Sequence, residues 1–507
     1  MRTAQSGKTL CLMIVGLLWW IAAAAAAEPL RFSVRLDAAV APQPLSGRLY
    51  VFLSRRPGGE PRFGPDWFSP EPFFGLDVEK VQPGTSRRLD DRADGFPGPL
   101  AKLPPGAYRI QAMLDQDFFS THHALGVGNL YSDVKQAPLD PAASGTVELV
   151  LSHVVREEPF PASSGREEVV LRSQRLSAFH GRDVTERAMV ILPPNYQREP
   201  SKRYPVIYHI PGFGGSHRSV PRFWMASAAG ADAGRVELIL VSLSGQCKWG
   251  HHVYANSETN GPRGDALVDE MIPYIDLHYR TVAAPTARFL TGHSSGGWSS
   301  LWLQVSYPDA FGGVWSFAPD PVDFRDFQQI DLYARPPLNL YRDPQGERRP
   351  LARRGTTPLL WFDSFARLDD CLGRGGQLRS FEAVFSPRGP DGLPRKLWDR
   401  ATGTIDPQTA LAWQKYDIRI LLEKNWKTLG PKLEGKLHIV TGELDTFYLE
   451  GAVRLLAKTL RDLSSDAQVE IVPGRDHMSV LMPAQIQAAR RQMTEAFLKR
   501  HPQPADG

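Results

Sequence analysis

Two textures of hydrophobic patterning divide the chain. Leu30, Phe32, Val34 and Leu36 alternate with Arg31, Ser33 and Arg35, the period-2 signature of a strand with one buried face. Residues 49–53 form a continuous apolar run. After the turn Pro104-Pro105-Gly106, Tyr108, Ile110, Ala112 and Leu114 alternate with polar neighbours, and Val147, Leu149 and Leu151 close the series. No helical periodicity of useful length precedes residue 155. Residues 28–155 are therefore predicted to form a small β-sandwich-like domain. Its aromatic residues Trp67, Phe68, Phe73 and Phe74 suit a core, a domain interface or a substrate contact.

Residues 156–166 (REEPFPASSGR) have the composition of a linker, and the texture changes after them. Apolar runs suited to buried parallel strands occur at 204–210, 238–243, 288–291, 314–317, 436–441 and 469–472. Stretches with apolar residues three and four apart fall between them, at 265–279, 297–307 and 449–463, and a terminal helix is predicted over 483–500. Strand–helix alternation implies an α/β domain, a mostly parallel sheet covered on both faces, over residues 167–507. Residues 319–430 interrupt it. They are rich in Arg, Pro and Gly with little period, and they read as a long insertion with some helix near 408–423.

Composition narrows the picture further. Hydrophobic residues are 42% and charged residues 22% of 507, which is globular usage, while 44 Gly and 43 Pro imply many turns. The formal charge of +4 is too balanced for a nucleic-acid partner. Arg2 and Lys8, the apolar run 10–21 and the alanines 22–27 form the n-region, h-region and small-residue end of a signal peptide, with cleavage expected after Ala27. The expected location is secreted or periplasmic, with no membrane span after cleavage. Cleavage removes Cys11 and leaves Cys247 and Cys371, which could pair or stand as separate thiols.

The strongest chemical signal is Gly292-His293-Ser294-Ser295-Gly296, a G-x-S-x-G between an apolar strand and a helix. A tight strand-to-helix turn exposes the serine side chain, and glycines two residues either side relieve the crowding. Ser294 is the expected nucleophile; Ser295 lacks a glycine two residues before it. A serine nucleophile needs a histidine base and an orienting carboxylate, in the chain order serine, acid, histidine. Asp445 follows strand 436–441, and His477 follows strand 469–472. His477 is also the only histidine between residue 293 and His501 apart from His438 within a strand. Glu443 and Asp476 are the competing acids. The oxyanion hole is expected from the backbone N–H of Ser295 and of Phe213, with Gly214 as the second choice for the latter, in the Gly-rich loop 209–215. His293 and Trp298, beside the serine, are assigned to substrate binding.

Other groupings are weaker. His251-His252 with Asp265 and Asp269 lacks diagnostic metal spacing, so no metal or cofactor is expected. Arg348, Arg349, Arg353 and Arg354 read as a solvated loop or as a contact for an anionic substrate. Trp224 and Trp249 suit a core or a pocket wall.

Residues 203–208 with the Gly-rich loop, 271–275 with Tyr279-Arg280, and 292–297 together resemble the esterase family that includes esterase D, feruloyl esterases, enterochelin esterases and secreted mycolyl transferases. The resemblance covers residues 167–318 and 434–500. It implies an α/β-hydrolase fold with a serine triad acting on a carboxylic ester, and the leading β-domain is most like the enterochelin-esterase arrangement. Residues 319–430 depart from the compact members. An acyltransferase would share every catalytic residue, and a non-catalytic binding protein would share the fold.

Overall fold

The computed structural model describes residues 28–502, apart from 118, 162, 164, 222, 223, 226–235 and 374. The expected signal segment, residues 1–27, lies outside the described residues. Among the described residues, no helix is long and apolar enough to cross a membrane.

The first part of the chain is one continuous sheet of nine strands rather than two separate ones. Its two ten-residue strands, Leu45–Ser54 and Gly106–Asp115, pair antiparallel with Leu49 opposite Leu114 and Leu53 opposite Ile110. Strand Arg31–Leu36 lies parallel to Thr146–Val154. The continuous apolar run in residues 49–53 has a direct cause, because both faces of that strand are covered. Leu49, Val51 and Leu53 join Ile110, Ala112 and Leu114 in the core of the curled sheet. Tyr50 and Phe52 point the other way and pack with Phe73, Met113, Leu368 and Cys371. Leu368 and Cys371 belong to the interruption in the second part, so the two parts of the chain share a packed interface.

The second sheet has eight strands: Arg166–Arg172, Thr185–Ile191, Val206–Ile210, Ile239–Leu243, Arg288–His293, Gly313–Phe317, Leu437–Gly442 and Gln468–Val472. The fourth lies between the second and third, and from the third onward neighbours follow chain order. The first two strands pair antiparallel, the second also pairs antiparallel with the fourth, and every remaining pair is parallel. This is the α/β-hydrolase arrangement. The antiparallel edge strand 166–172 carries a weaker apolar pattern, since Arg166, Glu167, Val170 and Arg172 are exposed.

Residues 319–430 are more structured than their aperiodic sequence suggests. They hold a hairpin (Pro350–Arg354 with Thr357–Trp361) and the helices Phe362–Leu372, Gln377–Phe385, Pro407–Trp413 and Ile418–Leu433. Phe324, Phe381, Phe385 and Trp413 from this region merge with the sheet's own core. Helix Phe362–Leu372 ends on Gly373, whose left-handed φ of 76° terminates it. The last carbonyls of this helix are bonded by the first sheet: Arg48 donates to Cys371 O (2.8 and 3.1 Å) and Tyr50 to Leu372 O (2.5 Å). A cation at a helix C-terminus also offsets the helix dipole. Arg48 pairs in addition with Asp77 (2.9 Å) and Asp94 (2.6 Å).

Candidate active site

The nucleophile turn explains its own glycines. Ser294 has φ 60° and ψ −126°, a left-handed conformation rarely adopted by a residue with a side chain, and strain of this kind persists where the surroundings enforce it. A Cβ on Gly292 would stand 2.2 Å from Gly296 O, and one on Gly296 would stand 2.0 Å from Ile210 O. Neither position can carry a side chain. The turn thus lifts Ser294 to the mouth of a cavity of about 340 Å³.

Two loops behind the last two strands bring the partners of Ser294. His477 Nδ1 lies 2.8 Å from Asp445 Oδ2, and both side chains are buried. The second carboxylate oxygen of Asp445 accepts the backbone N–H of Phe447 (2.8 Å). An Nδ1–H donated to Asp445 leaves Nε2 as the acceptor on the cavity side. Burial alone would depress the His477 pKa, but the Asp445 carboxylate outweighs it and holds the ring above the ordinary histidine value. The competing acids are engaged elsewhere. Glu443 accepts from Gly474 N (3.0 Å) and so ties the acid loop to the histidine loop, while Asp476 accepts from Met478 N and Ser479 N within its own turn. Gly442 permits the two loops to touch, since a Cβ there would meet Arg475 O at 2.2 Å.

Ser294 Oγ bonds to Asp320 Oδ1 at 3.5 Å, and Ser294, His477 and Asp320 all line the one cavity. Among the described residues no hydrogen bond joins Ser294 Oγ to His477, and bonds between catalytic groups commonly tighten only when substrate arrives. The expected oxyanion donors lie on the backbone around the same turn. Ser295 is the first residue of helix Ser295–Ser306, so its N–H has no acceptor within the helix. Gly212 approaches the nucleophile closely: its missing Cβ would lie 3.3 Å from Ser294 Cβ and 3.0 Å from His293 O. Phe213 follows it into the cavity wall. His251 Nε2 bonds to Pro211 O (3.0 Å) and its Nδ1 accepts Val253 N (3.0 Å), so this histidine holds the oxyanion loop through backbone contacts.

One expected substrate residue, Trp298, and one expected oxyanion donor, Gly214, need correction, and His293 gains a second role. Trp298 does not reach the cavity; it is buried, stacked on Trp302 (5.2 Å) and packed against Phe385 (5.2 Å), because its helix is covered on every side. Gly214 is exposed outside the cavity wall, and its φ of 82° makes the loop's turn instead. His293 does line the cavity, and its Nε2 bonds to His477 O (2.8 Å), so it also fixes the backbone of the base. Burial drives its pKa down to about 3, so the ring is neutral.

Of the aromatic cluster offered as core, interface or substrate contact, Trp67 reaches the cavity, and several residues of the interruption join it without a sequence signal of their own. Trp67 comes from the first sheet and packs on Phe365 of helix Phe362–Leu372 (4.9 Å), on Phe213 (5.7 Å) and on Phe447 (6.3 Å). Phe73 and Phe74, its companions in the aromatic cluster, are core residues. Gln377, Leu378 and Phe381 enter from helix Gln377–Phe385. The basic cluster is engaged in structure: Arg348 pairs with Asp363, Arg349 donates to Asn339 O (2.8 Å), and Arg353 donates to Asp445 O (3.0 Å) and Glu450 (2.7 Å). Arg353 thereby braces the acid loop from the hairpin. Cys247 Sγ donates to Asn260 Oδ1 (3.6 Å) while Cys371 packs at the interface of the two sheets, so these cysteines do not form a disulfide.

The family model described as "Esterase: Putative esterase" matches residues 181–479, which contain all the residues of this turn and both loops. The chain belongs to this esterase family. Esterase Rv1288 of Mycobacterium tuberculosis (strain H37Rv) is 28% identical over 149 residues, 29% of this chain. Esterase MT1326 of strain CDC 1551 matches equally, and the chain spans only 31% of the length of these curated relatives. Similar solved structures include a ferulic acid esterase (14% identity, TM-score 0.40, covering 66% of this chain and 97% of that one). An S-formylglutathione hydrolase from Agrobacterium tumefaciens is similar to the same extent (16% identity, TM-score 0.40, 66% and 97%).

Proposed function

We propose that this protein is a secreted or periplasmic serine esterase that hydrolyses carboxylic esters through an acyl-enzyme on Ser294. The observation that carries the reading is the buried His477–Asp445 pair, 2.8 Å apart, whose histidine lines one cavity with a serine on a strained strand-to-helix turn. Ser294 Oγ attacks the ester carbonyl while His477 Nε2 takes its proton and then delivers it to the departing alcohol oxygen. A water molecule attacks the acyl-enzyme in the second half, giving its proton to His477, which returns it to Ser294 as the acid leaves. Asp445 orients the ring and stabilises the imidazolium in both halves. The N–H groups of Ser295 and Phe213 receive the charge that develops on the carbonyl oxygen.

The cavity wall favours an apolar acyl group of moderate size. Trp67, Phe213, Phe365, Leu378, Phe381 and Phe447 are among its lining residues. Export rests on the signal-like pattern of residues 1–27. The test is hydrolysis of p-nitrophenyl acetate and butyrate by the wild type and by Ser294→Ala. The variant is expected to lose activity by at least about 10⁴-fold. Equal activity in both would remove Ser294 from the reaction.

A further inference from the structure

One buried acid in the cavity takes no part in the triad. Asp320 lies three residues beyond strand Gly313–Phe317, is 6% exposed, and lines the cavity that holds Ser294 and His477. Its two oxygens have different surroundings. Oδ2 accepts the hydroxyl of Ser295 (2.5 Å) and the amide of Gln377 (3.4 Å), and Gln377 also donates to Ser295 Oγ (3.2 Å). Oδ1 faces the nucleophile, 3.5 Å from Ser294 Oγ. Asp445 differs: both of its oxygens hold partners at 2.8 Å.

Placing a carboxylate in a cavity lined by Phe365, Leu378, Phe381 and Phe447 carries a desolvation cost. A purely apolar substrate would gain nothing from it. We infer that Asp320 Oδ1 receives a hydrogen-bond donor of the substrate, a hydroxyl or ammonium carried one or two bonds from the scissile ester, and that Asp320 is therefore a specificity-determining residue. The inference rests on the esterase reading above.

The geometry sets where that donor sits. When Ser294 Oγ bonds to the carbonyl carbon, a donor on the carbon next to the carbonyl on the acyl side, or on the second carbon from the ester oxygen on the alcohol side, can come within about 2.7–3.2 Å of Oδ1, the ordinary hydrogen-bond range. Ser295 and Gln377 fix the carboxyl plane from the nucleophile helix and from helix Gln377–Phe385, so Oδ1 does not have to reorganise to accept. Burial raises the Asp320 pKa to about 6, opposed by the bond from Ser295 and by the nearby His477. At pH 8 the group is ionised and acts as an acceptor only.

The experiment compares ester pairs that differ by one donor. On the acyl side, ethyl 2-hydroxybutanoate is set against ethyl butanoate; on the alcohol side, 2-hydroxyethyl butanoate is set against propyl butanoate. kcat/KM is measured at pH 8 by pH-stat for the wild type, Asp320→Ala and Asp320→Asn. The ratio within each pair cancels any general loss of activity. In one arm, the wild-type ratio should exceed that of Asp320→Ala by on the order of 10- to 100-fold, as expected for a hydrogen bond to a charged group. The responding arm tells whether the donor belongs to the acyl or the alcohol. Asp320→Asn, which keeps the size and carries the test should the alanine variant fail to fold, should lose most of the same preference. Equal ratios in all three proteins, in both arms, would overturn the inference alone. Failure of the wild type to hydrolyse any ester would overturn the functional reading and this inference with it.

Discussion

Ser294, Asp445 and His477 stand behind the C-terminal ends of parallel strands, whereas Trp67, Phe365 and Gln377 reach the same cavity from a curled sheet and from an interruption of the strand–helix alternation. The floor is held by backbone geometry. Its glycines are sterically compulsory, its loops are pinned to each other, and its charged pair is buried. The roof is held by side chains, namely aromatic packing around Trp67 and the contacts of Arg48 and Tyr50 to the end of helix Phe362–Leu372. Floor changes should therefore abolish chemistry, and roof changes should alter which ester is accepted.

The largest effect is expected at Asp445. Asp445→Asn keeps the shape but disturbs the tautomer of His477, and kcat should fall by about 10⁴-fold. Glu443→Gln, which alters a loop contact, should leave kcat close to wild type. Rate measurements on a single p-nitrophenyl ester distinguish the two acids, and a larger loss at Glu443 would reassign the pair.

The pH profile gives the next contrast. His477 must be neutral to accept the serine proton, and the Asp445 carboxylate holds its pKa above the ordinary histidine value. Activity therefore falls as pH drops through that raised value, so the acidic limb of kcat/KM should lie above 6.5. With Asp445→Asn the raising charge is gone, and the limb of the residual activity should move to lower pH. A limb that stays in place would mean that another group titrates.

Trp67→Ala probes the roof. It opens the wall between Phe213, Phe365 and Phe447 while leaving the triad untouched. Butyrate and longer acyl esters should lose on the order of 10- to 100-fold in kcat/KM, the range for removing a large apolar contact, while acetate should change little. A uniform loss over the acyl series would place Trp67 in the floor's category. The smallest effect is expected from Arg48→Met. Its carboxylate partners are mostly solvent-exposed, so the main loss is the pair of bonds to Cys371 O, costing about 1–3 kcal/mol. The melting temperature should drop by a few degrees, with kcat for acetate retained.

The same division governs what could be read from the sequence. The strands ending near residues 210, 292, 317 and 442 are buried on both faces, so each appears as an apolar run followed by a polar turn, while the edge strand ending at 472 exposes Gln468 and Glu470 and shows only a short apolar pattern. G-x-S-x-G, Asp445 and His477 sit in those turns at spacings the fold dictates. Trp298 was misassigned because adjacency to the serine along a helix says nothing of which way the helix faces, and every side of this one is covered. The roof left no comparable mark. Trp67 lies in a loop without period, and its role depends on a contact with Phe365, 298 positions later, that no local pattern encodes. Asp320 did leave a signal: it follows strand Gly313–Phe317 in the same way that Asp445 follows Leu437–Gly442, and an acid beyond a strand end on the catalytic edge is a candidate by that position alone.

The central claim is that the strained turn presents Ser294 as the nucleophile of the His477–Asp445 pair. Reaction with a fluorophosphonate, followed by peptide mapping by mass spectrometry, tests it directly. One adduct is expected, on the peptide containing Ser294, and it should be absent from Ser294→Ala and strongly slowed in His477→Ala. An adduct on Ser295 or any other serine, or none at all on the folded wild-type protein, would contradict the account.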